Sequence, residues 1–141
     1  CGLIPGVKGM SENVRVISLL GRFLEHSRVF HFHNAPPGKR TFLGSPDWMP
    51  RNFFRRIEVA FPIEDFNEEA KIMKSMDSFI QDNEFSTHLR SKGHYVQPPK
   101  RRRPFSAQEH FIALSREETE RKRKAELGSS AGKTENQGKG N

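Results

Sequence analysis

The sequence predicts an α/β fold class, a small mixed sheet flanked by helices, and three observations point to it. Short stretches such as Arg28-Val29-Phe30-His31-Phe32-His33 alternate side-chain character with the period of a strand. Two longer stretches place apolar residues at helical spacing behind a capping residue, Ser11 in one case and Asp65 in the other. Their order, helix, strand, strand, strand, helix, puts helices on a small sheet.

Each element has its own reason. Ser11 is an N-cap residue before Val14, Ile17, Leu20 and Leu24, with Val16, Leu19 and Phe23 broadening the apolar surface, so a buried helix is expected there. Phe30 and Phe32 share one face of the next strand. Asn34-Ala35-Pro36-Pro37-Gly38-Lys39 is turn chemistry, and Arg40-Thr41-Phe42-Leu43-Gly44-Ser45 completes a hairpin. Arg55 to Phe61 reads as a third strand, with Ile57, Val59 and Phe61 on one side and Pro62 ending it. Asp65 caps a helix over 66–83 whose inner face is Ile72, Met76 and Phe79, with Met73 and Ile80 beside it. A late helix over 106–127 carries Phe111, Ile112 and Leu114 near its start and charge after that.

Composition changes along the chain and divides it. Residues 1–97 form the folded domain, 98–127 a basic linker and C-terminal helix, and 128–141 a disordered tail rich in Gly and Ser. Ser91 to Lys100 reads as a connector ending in Pro98-Pro99. The first residues, Cys1-Gly2-Leu3-Ile4, read like the end of a buried strand, so a cut N-terminus is expected. The patterned part makes a modest core that is expected to lean on a neighbouring domain.

The 141 residues carry a net charge of +7. That balance favours a polyanionic partner, whether nucleic acid, anionic lipid or polyphosphate. The runs Lys100-Arg101-Arg102-Arg103 and Arg121-Lys122-Arg123-Lys124 are read as a solvated linker and an exposed helix face. No apolar run reaches the roughly 20 residues a membrane span needs, and no charged-then-apolar leader is present. A single cysteine can form neither an internal disulfide nor a thiolate metal site. A cytoplasmic protein is expected, with at most peripheral membrane contact.

The chemistry is concentrated between Glu25 and Glu58. His26 and Arg28 lie at an element junction, Gly44-Ser45 closes the next strand, and Asn52 follows, the order of a phospholipase-D-type half-site. An imidazole can serve as nucleophile, acid or base at phosphorus. Cations and polar donors stabilise charge on the equatorial oxygens of a phosphoryl group in transfer. A hairpin can bring the two segments together.

Two blocks sharpen the resemblance. Leu24-Glu25-His26-Ser27-Arg28 and Asp47-Trp48-Met49-Pro50-Arg51-Asn52, leading into Arg55-Arg56-Ile57-Glu58-Val59-Ala60-Phe61-Pro62, resemble the C-terminal phospholipase-D-like catalytic domain of the long-chain inorganic polyphosphate kinase family. Pro104-Phe105-Ser106-Ala107-Gln108-Glu109 resembles that family's C-terminal stretch, and the match covers about residues 1–115. The resemblance implies half of a phospholipase-D-like domain and reversible transfer of the terminal phosphate of ATP to polyphosphate, with Mg2+ whose ligands lie outside this chain. The phosphorylated histidine belongs to an upstream domain. The resemblance makes His26 the catalytic residue, touching the nucleotide phosphates and assisting proton transfer. It makes His26 and Arg56 contacts to the ATP phosphates; Ser45 and Asn52, from their place in the half-site order, are read as further phosphate contacts, Asn52 alternatively as a turn cap, with Glu58 and Arg28 in support. ATP or ADP, polyphosphate, upstream domains and a second copy of the parent chain are the implied partners. The family usually has alanine where Pro46 stands, and leucine and aspartate where Phe53 and Phe54 stand.

Plainer readings stand beside these. His31 and His33 lack a third ligand and are read as strand surface residues rather than a metal pair, and no residue is assigned as a metal ligand. Arg55 and Arg56 point to opposite faces of a strand, and Arg56 is the one assigned to the site, held by Glu58. Trp48 is read as a core anchor, Phe53 and Phe54 as packing against a missing domain. Two other functions compete: a phosphodiesterase of the same superfamily, and a non-enzymatic basic module binding nucleic acid. The late basic runs lack interleaved aromatics for base stacking, so no specific nucleic-acid partner is expected.

Overall fold

The computed structural model describes residues 3–99 and 103–134. Nine elements follow in order: β1 (Val16–Leu19), β2 (Val29–His31), β3 (Thr41–Gly44), α1 (Pro50–Arg55), β4 (Ala60–Pro62), α2 (Phe66–Gln81), β5 (Ser86–Leu89), β6 (Tyr95–Val96) and α3 (Ala107–Thr134). The class is α/β, with two antiparallel sheets of three strands each, in the orders β1-β5-β6 and β2-β3-β4.

The expected hairpin is present. Val29 pairs with Leu43, Phe30 with Phe42 and His31 with Thr41. Gly38 closes its turn with φ of 76°, a left-handed conformation that glycine adopts without steric cost. The Asp65 cap is also present: its carboxylate accepts from the N–H groups of Asn67 and Glu68.

Four elements differ from the sequence reading. The segment behind Ser11 is not a helix. Ser11 instead ties a turn, accepting from the Val7 N–H at 3.0 Å and donating to the Ile4 carbonyl at 2.6 Å. Val16 to Leu19 form β1, paired with Ser86 to Leu89. Val16 and Ile17 are β-branched and suit a strand, and the partner strand lies far off in sequence, where local periodicity cannot register it. The third strand shrinks to Ala60–Pro62, because Pro50 stands in the first turn of a short helix that ends at Arg55. Residues 91–99 are more than a connector, since Tyr95 and Val96 pair back onto β5 around a turn with Gly93 at φ of 78°. Finally, α3 continues to Thr134, past residue 127, where the late helix was expected to end. Residues 135–141 and the run Lys100-Arg101-Arg102 lie outside the described residues.

Polar groups make up the tight interior. Ala107 is the one fully buried apolar side chain among the described residues, whereas Thr41, Glu69, Asp82, Ser86 and Gln108 are all buried. Asp82 joins three elements. One carboxylate oxygen accepts from the N–H groups of Glu84 and Phe85, and the other accepts from the Ala107 N–H at 2.8 Å, capping α3 from outside that helix. Phe79 of α2 meets Phe111 of α3 edge to face at 5.2 Å. Arg40 and Thr41 both donate to Glu69, tying β3 to α2.

Candidate functional site

His26 is placed by its neighbours in the chain. Gln108, at the start of α3, donates to the Phe23 carbonyl at 2.8 Å, accepts from the Phe23 N–H at 3.0 Å and donates to Glu25 at 2.6 Å. These bonds hold the extended segment that leads into β2. Arg28 then stands opposite Gly44, whose N–H donates to the Arg28 carbonyl at 3.1 Å. The hairpin register therefore brings the segment carrying His26 and Arg28 against the end of β3, where Ser45 begins the next loop.

His26, Arg28, Gly44 and Ser45 line one depression of about 480 Å³, whose apolar side is Leu43, Val59 and Phe61. Arg28 is its best-anchored cation. Its Nε donates to Asp47 at 2.8 Å, and its Nη1 donates to the His26 carbonyl at 2.9 Å and lies 3.3 Å from His26 Nδ1. The hydrogen bond to Asp47 raises the Arg28 pKa above its ordinary value, and the same bond holds the Asp47 carboxyl below its own.

The other assigned residues take different places. The Ser45 hydroxyl donates to Glu58 and accepts from the Val59 N–H at 3.1 Å, so both its roles are met inside the protein. Glu58 therefore holds Ser45 and not Arg56, contrary to the expected pair. Arg56 follows the last residue of α1, with extended backbone, and it is not part of the depression's lining. It was assigned to a strand face, and the early end of α1 moves it. Asn52 is buried and donates to the Asp47 carbonyl at 2.9 Å, so its amide closes the loop after Ser45, while its Oδ1 has no partner among the described residues. Asp47 is the site residue that the sequence reading left without a role, although it stands in a recognised block, two residues after Ser45.

Trp48 is not a core anchor. It is 76% exposed and stacks on Phe30 with ring centroids 5.9 Å apart. It lines an apolar groove of about 430 Å³ with Phe32, Phe42 and Phe53, and Phe54 is exposed as well. His31 lies on the hairpin with its Nδ1 2.9 Å from the Thr41 hydroxyl. Among the described residues no group of three or more His, Cys, Asp or Glu side chains could hold a metal. The carboxylates nearest the depression are taken by Arg28 and Ser45. These residues do not make a site for the Mg2+ that the resemblance implies. Among the described residues no helix is long and apolar enough to cross a membrane.

Comparison with known proteins places this geometry. Residues 1–108 match the family model described as polyphosphate kinase C-terminal domain 2. The chain is similar to polyphosphate kinase of Paraburkholderia phytofirmans, 47% identical over 106 residues that make up 74% of this chain and 15% of the relative. It is also similar to polyphosphate kinase of a Synechocystis species, 42% identical over 77% of this chain and 14% of that relative. The crystal structure of polyphosphate kinase from Porphyromonas gingivalis superposes with a TM-score of 0.75 at 32% identity, over 85% of this chain and 18% of that one. The chain thus spans about one seventh of the length of the curated relatives it matches.

Proposed function

Because the chain belongs to the polyphosphate kinase family, in the part described as C-terminal domain 2, we propose that it forms one half of a site that moves the terminal phosphate of ATP to and from inorganic polyphosphate. The observation that carries this reading is the convergence of His26 and Arg28 with the Gly44-Ser45 strand end on one depression. An imidazole and backbone-anchored donors at one rim suit the oxygens of a phosphoryl group in flight. Such a group needs cations as well, and here Arg28 is already neutralised by Asp47. Arg51, near enough to act on the Asp47 carboxylate, and Arg56, beside α1, are further candidates, and the rest comes from upstream domains of the same polypeptide, as does the histidine that takes up phosphate. The setting is the cytoplasm, where ATP is available.

The test is a chimera in which residues 3–108 of this chain replace the matched segment of the Paraburkholderia phytofirmans relative. It should lengthen polyphosphate from ATP, and His26→Ala should lower turnover by at least about a hundredfold with folding intact. Near-normal turnover in that variant would take His26 out of the site. Cleavage of phosphodiesters without polymer growth would favour the phosphodiesterase reading instead.

A further inference from the structure

We infer that Asp47 is a positioning residue that, through Arg28, holds His26 in the tautomer that offers its Nε2–H to phosphate. This rests on the reading of the depression as a phosphoryl-transfer half-site.

The inference follows from donor and acceptor roles. A guanidinium has five N–H donors and no acceptor. Arg28 Nη1 lies 3.3 Å from His26 Nδ1, so Nδ1 can meet it only with its lone pair. The single ring proton of His26 then sits on Nε2, the nitrogen at the other end of the ring. The other tautomer would set an N–H of the ring against an N–H of Arg28 at that distance. Held this way, the ring offers Nε2–H to an oxygen whose charge grows during transfer.

Arg28 can impose this only because it is fixed at both ends. Nη1 also donates to the backbone carbonyl of His26, and Nε donates to Asp47 Oδ1. Asp47 is fixed in turn, since its carbonyl accepts from the buried Asn52 amide at 2.9 Å and from the Met49 N–H at 2.7 Å. An order of control therefore runs from Asn52 to Asp47, Arg28 and the His26 ring. Asn52 and Arg28 act on phosphate through the imidazole.

Two measurements test this. In the 15N-labelled chain, the ring signals that vanish in His26→Gln identify His26. They should show hydrogen on Nε2 and a bare Nδ1, and Asp47→Asn should release the ring into an exchanging mixture of tautomers. Arg28→Ala should do the same, and serves if Asp47→Asn folds poorly. Hydrogen on Nδ1 in the unaltered chain, or ring signals unmoved in both variants, would overturn the inference. In the chimera, Asp47→Asn should lower kcat about tenfold or more while KM for ATP changes by less than about twofold. Adding Arg28→Ala should cost little more, because the two residues act as one unit. An unchanged kcat, or losses that multiply, would also overturn it. A chimera that makes no polymer before any substitution would count against the proposed function, and the ring spectra would still decide this inference.

Discussion

Gly21 has no room for a side chain. A Cβ built there would lie 2.4 Å from Gln108 Oε1 and 2.7 Å from Gln108 Cδ. Gln108 is buried and bonded on three sides, so it cannot swing away freely. Gly21→Ala should therefore destabilise the chain by about 1–3 kcal/mol, read from the urea midpoint. Because Gln108 holds the segment before His26, the same change should disturb the His26 ring signals. Glu69 sets a pH limit on stability. Two bonds from Arg40 and one from Thr41 bring its pKa down to about 2 from an ordinary 4.5. The unfolded chain then binds a proton more readily than the folded one. The contribution of Glu69 is complete above the unfolded pKa and is lost as pH falls from about 4.5 toward 2. Urea midpoints should drop between about pH 6 and about pH 3, and Glu69→Gln should flatten that drop while lowering stability at the higher pH. A pH response identical in the variant and the unaltered chain would remove Glu69 as its source.

At the scale of elements, α3 depends on a carboxylate that belongs to another part of the chain. Asp82 ends α2 and caps the Ala107 N–H, so Asp82→Ala leaves three N–H donors unmet, the Ala107 one buried. A loss of about 2 kcal/mol or more is expected. Hydrogen exchange should rise first at the Glu84, Phe85 and Ala107 amides, and exchange that stays slow at Ala107 would show that α3 is held by other means. The exposed stretch of α3 over 113–127 adds little. Its pairs, Arg121 with Glu117 and Lys122 with Glu118, are solvated and span one turn, where such pairs contribute only a few tenths of a kcal/mol. Elements also show why parts of the reading failed. Val14, Ile17, Leu20 and Leu24 match a helical stripe, yet the segment spanning Val16–Leu19 became β1 because β5 offers a partner edge. The third strand was shortened because α1, begun by Pro50, takes in Arg55, which was expected to open that strand.

The molecule as a whole leaves much apolar surface in water. Trp48, Phe53, Phe54, Phe61 and Ile57 are exposed, and a second apolar groove of about 440 Å³ separates α2 from Val29 and Leu43 of the hairpin. Burial of apolar surface is the main favourable term in folding, so a chain that buries so little should be weakly stable. Urea unfolding of the 141-residue chain is expected to give about 5 kcal/mol or less, the low end for native domains. A value near 10 kcal/mol would mean that the polar hubs at Glu69, Asp82 and Gln108 carry more than this account assigns them. At the same scale, the chain alone should make no polyphosphate and acquire no phosphohistidine, since its depression holds one imidazole and a cation already paired with Asp47. Polymer made by the isolated chain would end the half-site reading.

Residues close in sequence were enough to determine the β2–β3 hairpin, α2 with its Asp65 cap, and the blocks around His26 and Asp47 that carry the family. Turn chemistry, capping and side-chain period act over a few positions and need no distant partner. Only the tertiary structure decided that Val16–Leu19 is a strand, that Asn52 faces inward, that Glu58 binds Ser45 and leaves Arg56 aside, and that Trp48 lies open to water. Each of those outcomes depends on which group arrives from another element to meet a donor, an edge or a ring. Local pattern carries no record of that arrival.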